Sequence, residues 1–281
     1  MDRSEICVVV LAAGQGLRLR PLTEHIPKAL CPVGNVPLLD RALAAAASLG
    51  FAGASRVAVN AWSHASRIVA HVGGRAHVSV ETGEEPLGGA GGLGVLRPWI
   101  DGRHVLVANA DAYLEGGALE PLLDGWDGTQ VRLLGVPAGD RRPEFGAYRF
   151  AGMSLLPAHR VGALPAEPAD LVRTVWRPAE AAGEFAVVDY GGTYLDSGTP
   201  FDYLAANLHA ARLAGGSIID ESARVTGSVT HAVVGADAVV SGRIDRTVVW
   251  PGSVVSDAET LSDAIRYGTH GTVNASAAAV R

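Results

Sequence analysis

The stretch Ile6-Cys-Val-Val-Val-Leu11, followed at once by Ala12-Ala-Gly-Gln-Gly16, decides the fold. Six consecutive apolar residues, half of them Val, suit a strand buried on both faces of a parallel sheet. A glycine loop directly after such a strand can turn backbone N–H groups toward an anion. The same alternation of strand and helix continues downstream. Residues 56–60, 77–81, 104–108 and 131–136 read as strands, and 37–49, 63–72 and a segment opening at 90–96 read as helices. This alternation implies an α/β chain with a mostly parallel sheet covered on both faces. Ligands of such sheets bind beyond the carboxyl ends of the strands. Gly14, Asn109 and Asp111 all fall just past strand ends, so they are expected to converge.

The 281 residues suffice for one large domain and a smaller appendage. No apolar run approaches the ~20 residues that span a bilayer, and the N-terminus lacks the apolar region of a secretory signal. No membrane partner is expected. Cys7 and Cys31 have no metal-ligand spacing and suit a reducing cytoplasm. A net charge of −6 without a basic stripe argues against nucleic acid as a partner. An anionic ligand therefore needs a local cation. Of the 23 basic residues 22 are Arg, and Lys28 is the only lysine. Its place at the far end of the candidate phosphate-binding segment that the glycine loop opens suggests that a compact ammonium, rather than a planar guanidinium, is needed there.

After about residue 215 the pattern changes. Val225 aligns with Val240 and Val255, Gly227 with Gly242, and Val229 with Ile244. Ile219, Val234 and Val249 follow the same period. A fixed short period of aliphatics with turn glycines is the signature of a parallel β-helix. Three coils are near the minimum for stability, so they are expected to lean on the main domain or, in a homo-oligomer, on another subunit. The expected organisation is a catalytic domain over 1–214, coils over 215–273, and a disordered tail over 274–281.

The glycine loop continues through Leu17-Arg18-Leu19-Arg20-Pro21-Leu22-Thr23 to Pro27-Lys28. It is not a P-loop, because no Gly-Lys-Ser/Thr follows it. It is a poor dinucleotide fingerprint, because Arg18 stands where a small residue would be needed. The spacing of Arg18, Pro21, Thr23, Pro27 and Lys28 resembles the signature of sugar-phosphate nucleotidylyltransferases, including mannose-1-phosphate guanylyltransferases. Three further segments resemble motifs of that family, in its order. Glu85-Pro-Leu-Gly88-Gly-Ala-Gly91 looks like the base-binding loop. Asn109-Ala-Asp111 looks like the first metal motif. Tyr194-Leu-Asp196-Ser-Gly-Thr-Pro200 looks like the second.

The resemblance implies a Rossmann-like nucleotide-diphospho-sugar transferase fold with a short left-handed parallel β-helix. It implies Mg²⁺ at Asp111 and Asp196, and a triphosphate neutralised by Arg18 and Lys28, with Asp111 also in the catalytic set. It places the nucleotide against Leu11, Ala12, Ala13, Gly14, Gly16, Glu85, Gly88 and Gly91. It places the sugar phosphate against Asn109 and Gly152. The partners are then a nucleoside triphosphate and a sugar 1-phosphate. Chemistry of this kind needs cations to offset two anions brought together, and positioning does most of the rest.

Four departures qualify the match. Leu17 stands where a polar residue is usual, Gly89 replaces Thr, and Ala110 replaces Gly. The Glu-Lys-Pro segment whose lysine grips the sugar phosphate is absent. The shortened stretch ending in Phe150-Ala-Gly152 is similar to N-acetylmuramate-1-phosphate uridylyltransferases, and Arg142 or Arg149 is the expected replacement cation. Guanylyl transfer to mannose 1-phosphate is the leading expectation, with uridylyl transfer to another sugar 1-phosphate next. A regulatory subunit without turnover and a dinucleotide-binding enzyme are the remaining alternatives.

Overall fold

The structure is a computed structural model and describes residues 2–276. The chain forms two compact units interleaved in sequence. Unit one comprises the described residues up to Gln15, Pro27–Ala29 and Leu39–Tyr194. Unit two comprises Gly16–Ile26, Leu30–Leu38 and the chain from Leu195 onward.

Unit one is built on a seven-stranded sheet. Its strands are β1 (Ile6–Leu11), β2 (Val57–Ala61), β3 (His77–Val80), β4 (His104–Asn109), β5 (Val131–Pro137), β6 (Tyr148–Leu156) and β7 (Phe185–Asp189). They lie in the order β7-β5-β6-β4-β1-β2-β3. β1 runs parallel to both neighbours, with Val8 opposite Val57 on one side and Leu106 on the other. Residues 6–10 are all buried, as a doubly covered strand requires. Only β6 runs against the rest, antiparallel to β4 and β5. Its pairing with β5 slips between Leu133 and Gly135, and in the facing stretch Gly152 takes a φ of +83°. That conformation favours glycine and bends the strand as a bulge.

Helices α1 (Leu38–Ser48), α2 (Ala65–Val72) and α3 (Gly88–Ile100) match the three helical stretches read from the sequence, with α3 longer than expected. Leu93, Leu96 and Ile100 recur at helical spacing and pack with Cys7, Val9, Val105 and Val107 in the main core. Burial pushes the Cys7 thiol up to about 11, so it stays protonated at neutral pH.

Unit two holds a short hairpin (Pro32–Val33 with Val36–Pro37), helix α4 (Pro200–Leu213) and the C-terminal strands. Thr199 caps α4 by accepting from Asp202 N–H at 3.2 Å, and Pro200 occupies the first turn. The Thr-Pro of the second metal-like motif is thus also a helix start. In the C-terminal strands Val225 pairs in parallel register with Val240, and Val240 with Val255. Ile219, Val234 and Val249 pair likewise. Val234, Val240, Ile244, Val249 and Val255 form a common apolar interior. The next interval is longer, since Ile244 pairs with Leu261 and Val249 with Arg266.

Gly271–Asn274 closes this sheet antiparallel to Thr260–Tyr267, and Ala275 N–H donates to Asp263 O at 2.8 Å. The first residues of the expected tail are therefore packed, and 277–281 lie outside the described residues. Among the described residues no helix is long and apolar enough to cross a membrane.

Candidate functional site

β1 and β4 are paired along their whole length, so Leu11 and Asn109 end side by side. The two loops that follow leave the same edge of the sheet, tied by Ala110 N–H donating to Leu11 O at 3.0 Å. An open cavity of about 230 Å³ lies there. Leu11, Ala12, Ala13, Gly14, Lys28, Gly88, Asn109 and Asp111 all line it, together with Ala29, Asn60, Pro86, Gly89 and Ala110. Eight of the residues read from the sequence are therefore gathered in one cavity of unit one.

A charged hydrogen bond in this cavity joins Lys28 to Asp111. Lys28 Nζ donates to Asp111 Oδ2 at 2.6 Å, with the lysine side chain 10% exposed and the aspartate 38%. A short bond between two ionised groups, one nearly dry, is charge-assisted and well fixed in position. The arrangement puts one compact cation and one carboxylate in the same cavity lining as Leu11, Ala12, Ala13 and Gly14 of the glycine loop.

Asn60 and Glu81 belong to the same structure but carry no motif. Asn60, at the end of β2, is buried, and its Oδ1 accepts from Ala12 N–H at 2.7 Å. Its Nδ2 donates to Glu81 Oε1 at 2.8 Å. The other Glu81 oxygen accepts from Leu87 N–H, also at 2.8 Å. Their burial, which the sequence does not show, is what marks them, since such groups are seldom buried without partners.

Other expected residues lie elsewhere. Gly91 is a packing residue rather than part of the cavity lining. Its N–H donates to Ala169 O at 3.3 Å, and a side chain there would run into the Glu167 carbonyl. Glu85 is exposed and also outside the lining. Gly152 sits in the β6 bulge against Ala112. Arg142 is exposed before β6, and Arg149 pairs with Val136 across from β5; neither lines the cavity.

Gly16, Arg18 and Asp196 belong to unit two. Gly16 takes a φ of +66°, and its carbonyl accepts from Thr23 Oγ1 at 2.8 Å. Arg18 Nη2 stands 3.6 Å from Asp196 Oδ2, with the arginine side chain 68% exposed.

Two of the departures have a local cause. A Cβ at Gly89 would lie 3.0 Å from Leu171 Cδ1 and 3.2 Å from Leu11 Cδ1, so a Thr would need those leucines to give way. Ala110 is not among the residues with positive φ, so the loss of glycine there costs no strain. Asn109 also borders a second cavity of about 290 Å³ with Met153, Arg41, Glu115 and Tyr190. Burial holds the Tyr190 hydroxyl above its ordinary range, and it accepts from Gly117 N–H at 3.3 Å.

Comparison with known proteins gives three findings. A family model described as the MobA-like NTP transferase domain matches residues 8–263. Among curated proteins, an N-acetylmuramate alpha-1-phosphate uridylyltransferase of Neisseria meningitidis is 36% identical over 108 residues, covering 37% of this chain and 46% of that protein. A mannose-1-phosphate guanylyltransferase of Mycobacterium tuberculosis is 31% identical over 128 residues, covering 44% of this chain and 34% of that protein. The chain thus matches less than half the length of these relatives. Among solved structures, a putative glucose-1-phosphate thymidylyltransferase from Bacillus anthracis superposes with a TM-score of 0.61 at 17% identity, over 73% of this chain and 95% of that one. At that identity the likeness concerns the fold.

Proposed function

The chain belongs to the MobA-like NTP transferase family, and from that membership we propose that it transfers a nucleotidyl group from a nucleoside triphosphate to a sugar 1-phosphate. A phosphate oxygen of the sugar attacks the α-phosphorus, the bond to the β-phosphate oxygen breaks, and pyrophosphate leaves. The single observation that carries this reading is the Lys28–Asp111 pair at 2.6 Å inside the cavity lined by the glycine loop. Lys28 places a nearly buried ammonium where the α-phosphate would gather charge, and the loop's N–H groups hold the phosphates. Arg18 neutralises the triphosphate further.

Mg²⁺ is the metal we assign to this chemistry, with Asp111 and Asp196 as its carboxylates. The donor set fits a hard cation: Asp111 is a carboxylate at the cavity and remains 38% exposed. Among the described residues no group of three or more His, Cys, Asp or Glu could hold a metal. Phosphate and water oxygens would complete the shell, as Mg²⁺ prefers. When bound, the ion would neutralise charge on the phosphate oxygens.

Guanylyl transfer to mannose 1-phosphate remains the first reading of base and sugar, supported by the glycine loop and the repeated C-terminal strands. Uridylyl transfer has its own support in the absent second lysine and in the Neisseria relative. Asn109 and Gly152 are assigned to the sugar phosphate, with Arg142 or Arg149 supplying its cation. We read the C-terminal strands as a left-handed parallel β-helix, on the strength of their in-register parallel pairing. Self-association through these coils is part of the same reading, supported by Ile219, which stays about half exposed.

The test is pyrophosphate release with four nucleoside triphosphates against a panel of sugar 1-phosphates. Release that needs both substrates and is lost in Lys28→Ala and Asp111→Ala is the expected result. Tight triphosphate binding without release under any combination would favour the regulatory subunit instead.

A further inference from the structure

The nucleotide half of the cavity is framed by two loops far apart in sequence, the glycine loop after β1 and the loop that opens α3. A buried polar relay joins them. Ala12 N–H donates to Asn60 Oδ1, Asn60 Nδ2 donates to Glu81 Oε1, and Leu87 N–H donates to Glu81 Oε2, at 2.7, 2.8 and 2.8 Å. Asn60 and Glu81 are 2% and 6% exposed, so neither has bulk water as an alternative partner. The directions are fixed at both ends. Backbone N–H groups can only donate, so Asn60 must turn its oxygen to Ala12, and both Glu81 oxygens must accept.

The surroundings reinforce the relay. Gly92 leaves room for it, since a Cβ there would lie 2.7 Å from Asn60 Nδ2 and 3.1 Å from Glu81 Oε1. Leu87 is also held from its other side, its carbonyl accepting from Ala169 N–H at 2.9 Å. Glu81 itself is anchored by its own N–H, which donates to Ala61 O at 2.8 Å.

Taking nucleotidyl transfer as the activity, we infer that Asn60 and Glu81 are positioning residues that set the spacing between the phosphate-binding and base-binding loops. Neither touches the reacting atoms. Their effect falls on triphosphate affinity rather than on the sugar 1-phosphate.

The relay can be tested by exchanging its two side-chain chemistries. Glu81→Gln puts an amide N–H against a donor whichever way it turns, either Asn60 Nδ2 or Leu87 N–H. Asn60→Asp sets a second carboxylate against Glu81. With both carboxylates ionised, each single variant breaks one contact. The double variant N60D/E81Q restores every one: the new carboxylate accepts from Ala12 N–H and from the new amide, whose oxygen accepts from Leu87 N–H. The charge has only moved along the relay.

Calorimetric binding of each of the four nucleoside triphosphates to the full chain, with thermal melting in parallel, reads the outcome. Each single variant is expected to bind its preferred triphosphate about tenfold or more weakly, as unmet buried donors and acceptors cost that much. The KM for sugar 1-phosphate should stay within about twofold, and the double variant should recover affinity to within about threefold of wild type, both margins small against that loss. Single variants with wild-type affinity, or a double variant no better than either single, would overturn the inference. If a single variant does not fold, recovery of both melting and affinity in the double variant still decides it. A wild-type chain that binds no triphosphate would sink the nucleotidyl-transfer reading and this inference with it. Wild-type binding that the variants leave untouched would sink the inference alone.

Discussion

Of the two cation–carboxylate pairs assigned to the reaction, one lies in each unit, and the two are built differently. In unit one Lys28 meets Asp111 at 2.6 Å with the lysine only 10% exposed. In unit two Arg18 stands 3.6 Å from Asp196 with its side chain 68% exposed. Exposed ion pairs are screened by water and salt and are worth little, whereas a pair with one nearly dry partner is screened less and holds its geometry better. Lys28 is therefore the cation fixed in advance, and Arg18 is one whose charge is largely paid out to solvent.

The comparison is sharpened first by removing each cation. Lys28→Ala should lower kcat/KM for pyrophosphate release by about 10²–10³-fold, the range for losing one preorganised charge-stabilising donor. Arg18→Ala should cost about tenfold or less, and the loss should shrink as salt is raised from low to physiological strength. Equal losses with equal salt dependence would break the distinction.

Next comes Gly91, where packing rather than charge is at stake. Gly91→Ala should destabilise the fold by about 1–3 kcal/mol, because the new methyl meets the Glu167 carbonyl. Thermal melting should show this, while triphosphate affinity of the folded protein stays at the wild-type value. Lost affinity at unchanged stability would return Gly91 to the nucleotide. The smallest effect is expected at the sugar side. Alanine at both Arg142 and Arg149 should raise the sugar 1-phosphate KM severalfold, on the order of one exposed ion pair. An unchanged KM would remove both residues from that role.

The parts of the fold visible in the sequence were those with a short local signal. β1 is a run of apolar residues buried on both faces, and its bounds are readable from the letters alone. The Val225, Val240 and Val255 register is visible because identical residues repeat at one interval. Where that interval lengthens, at Ile244 and Leu261, the repeat gives no warning. β6 was not read as a strand, because Gly152 and the register shift interrupt its alternation. α4 was hidden under a motif, since Asp196-Ser-Gly-Thr-Pro200 draws the eye to metal binding and away from Thr199 as a helix cap.

The candidate site divides in the same way. Lys28, Asn109 and Asp111 were readable because each stands at a fixed distance from a glycine loop or a strand end. Asn60 and Glu81 were not, because their partners are 48, 21 and 6 residues away and no spacing rule links them. Gly91 falls outside the cavity lining for the opposite reason. A glycine inside a ligand motif reads as making room for ligand, and here it makes room for the chain's own backbone.

The central claim is that the site needs a compact ammonium at position 28 in a chain that otherwise uses Arg. Pyrophosphate release by Lys28→Arg, measured beside wild type with the preferred triphosphate and sugar 1-phosphate, tests it most directly. The account expects the wild type to require both substrates and the variant to fall by about 10²-fold although its charge is kept. A Lys28→Arg chain that releases pyrophosphate at the wild-type rate would contradict it.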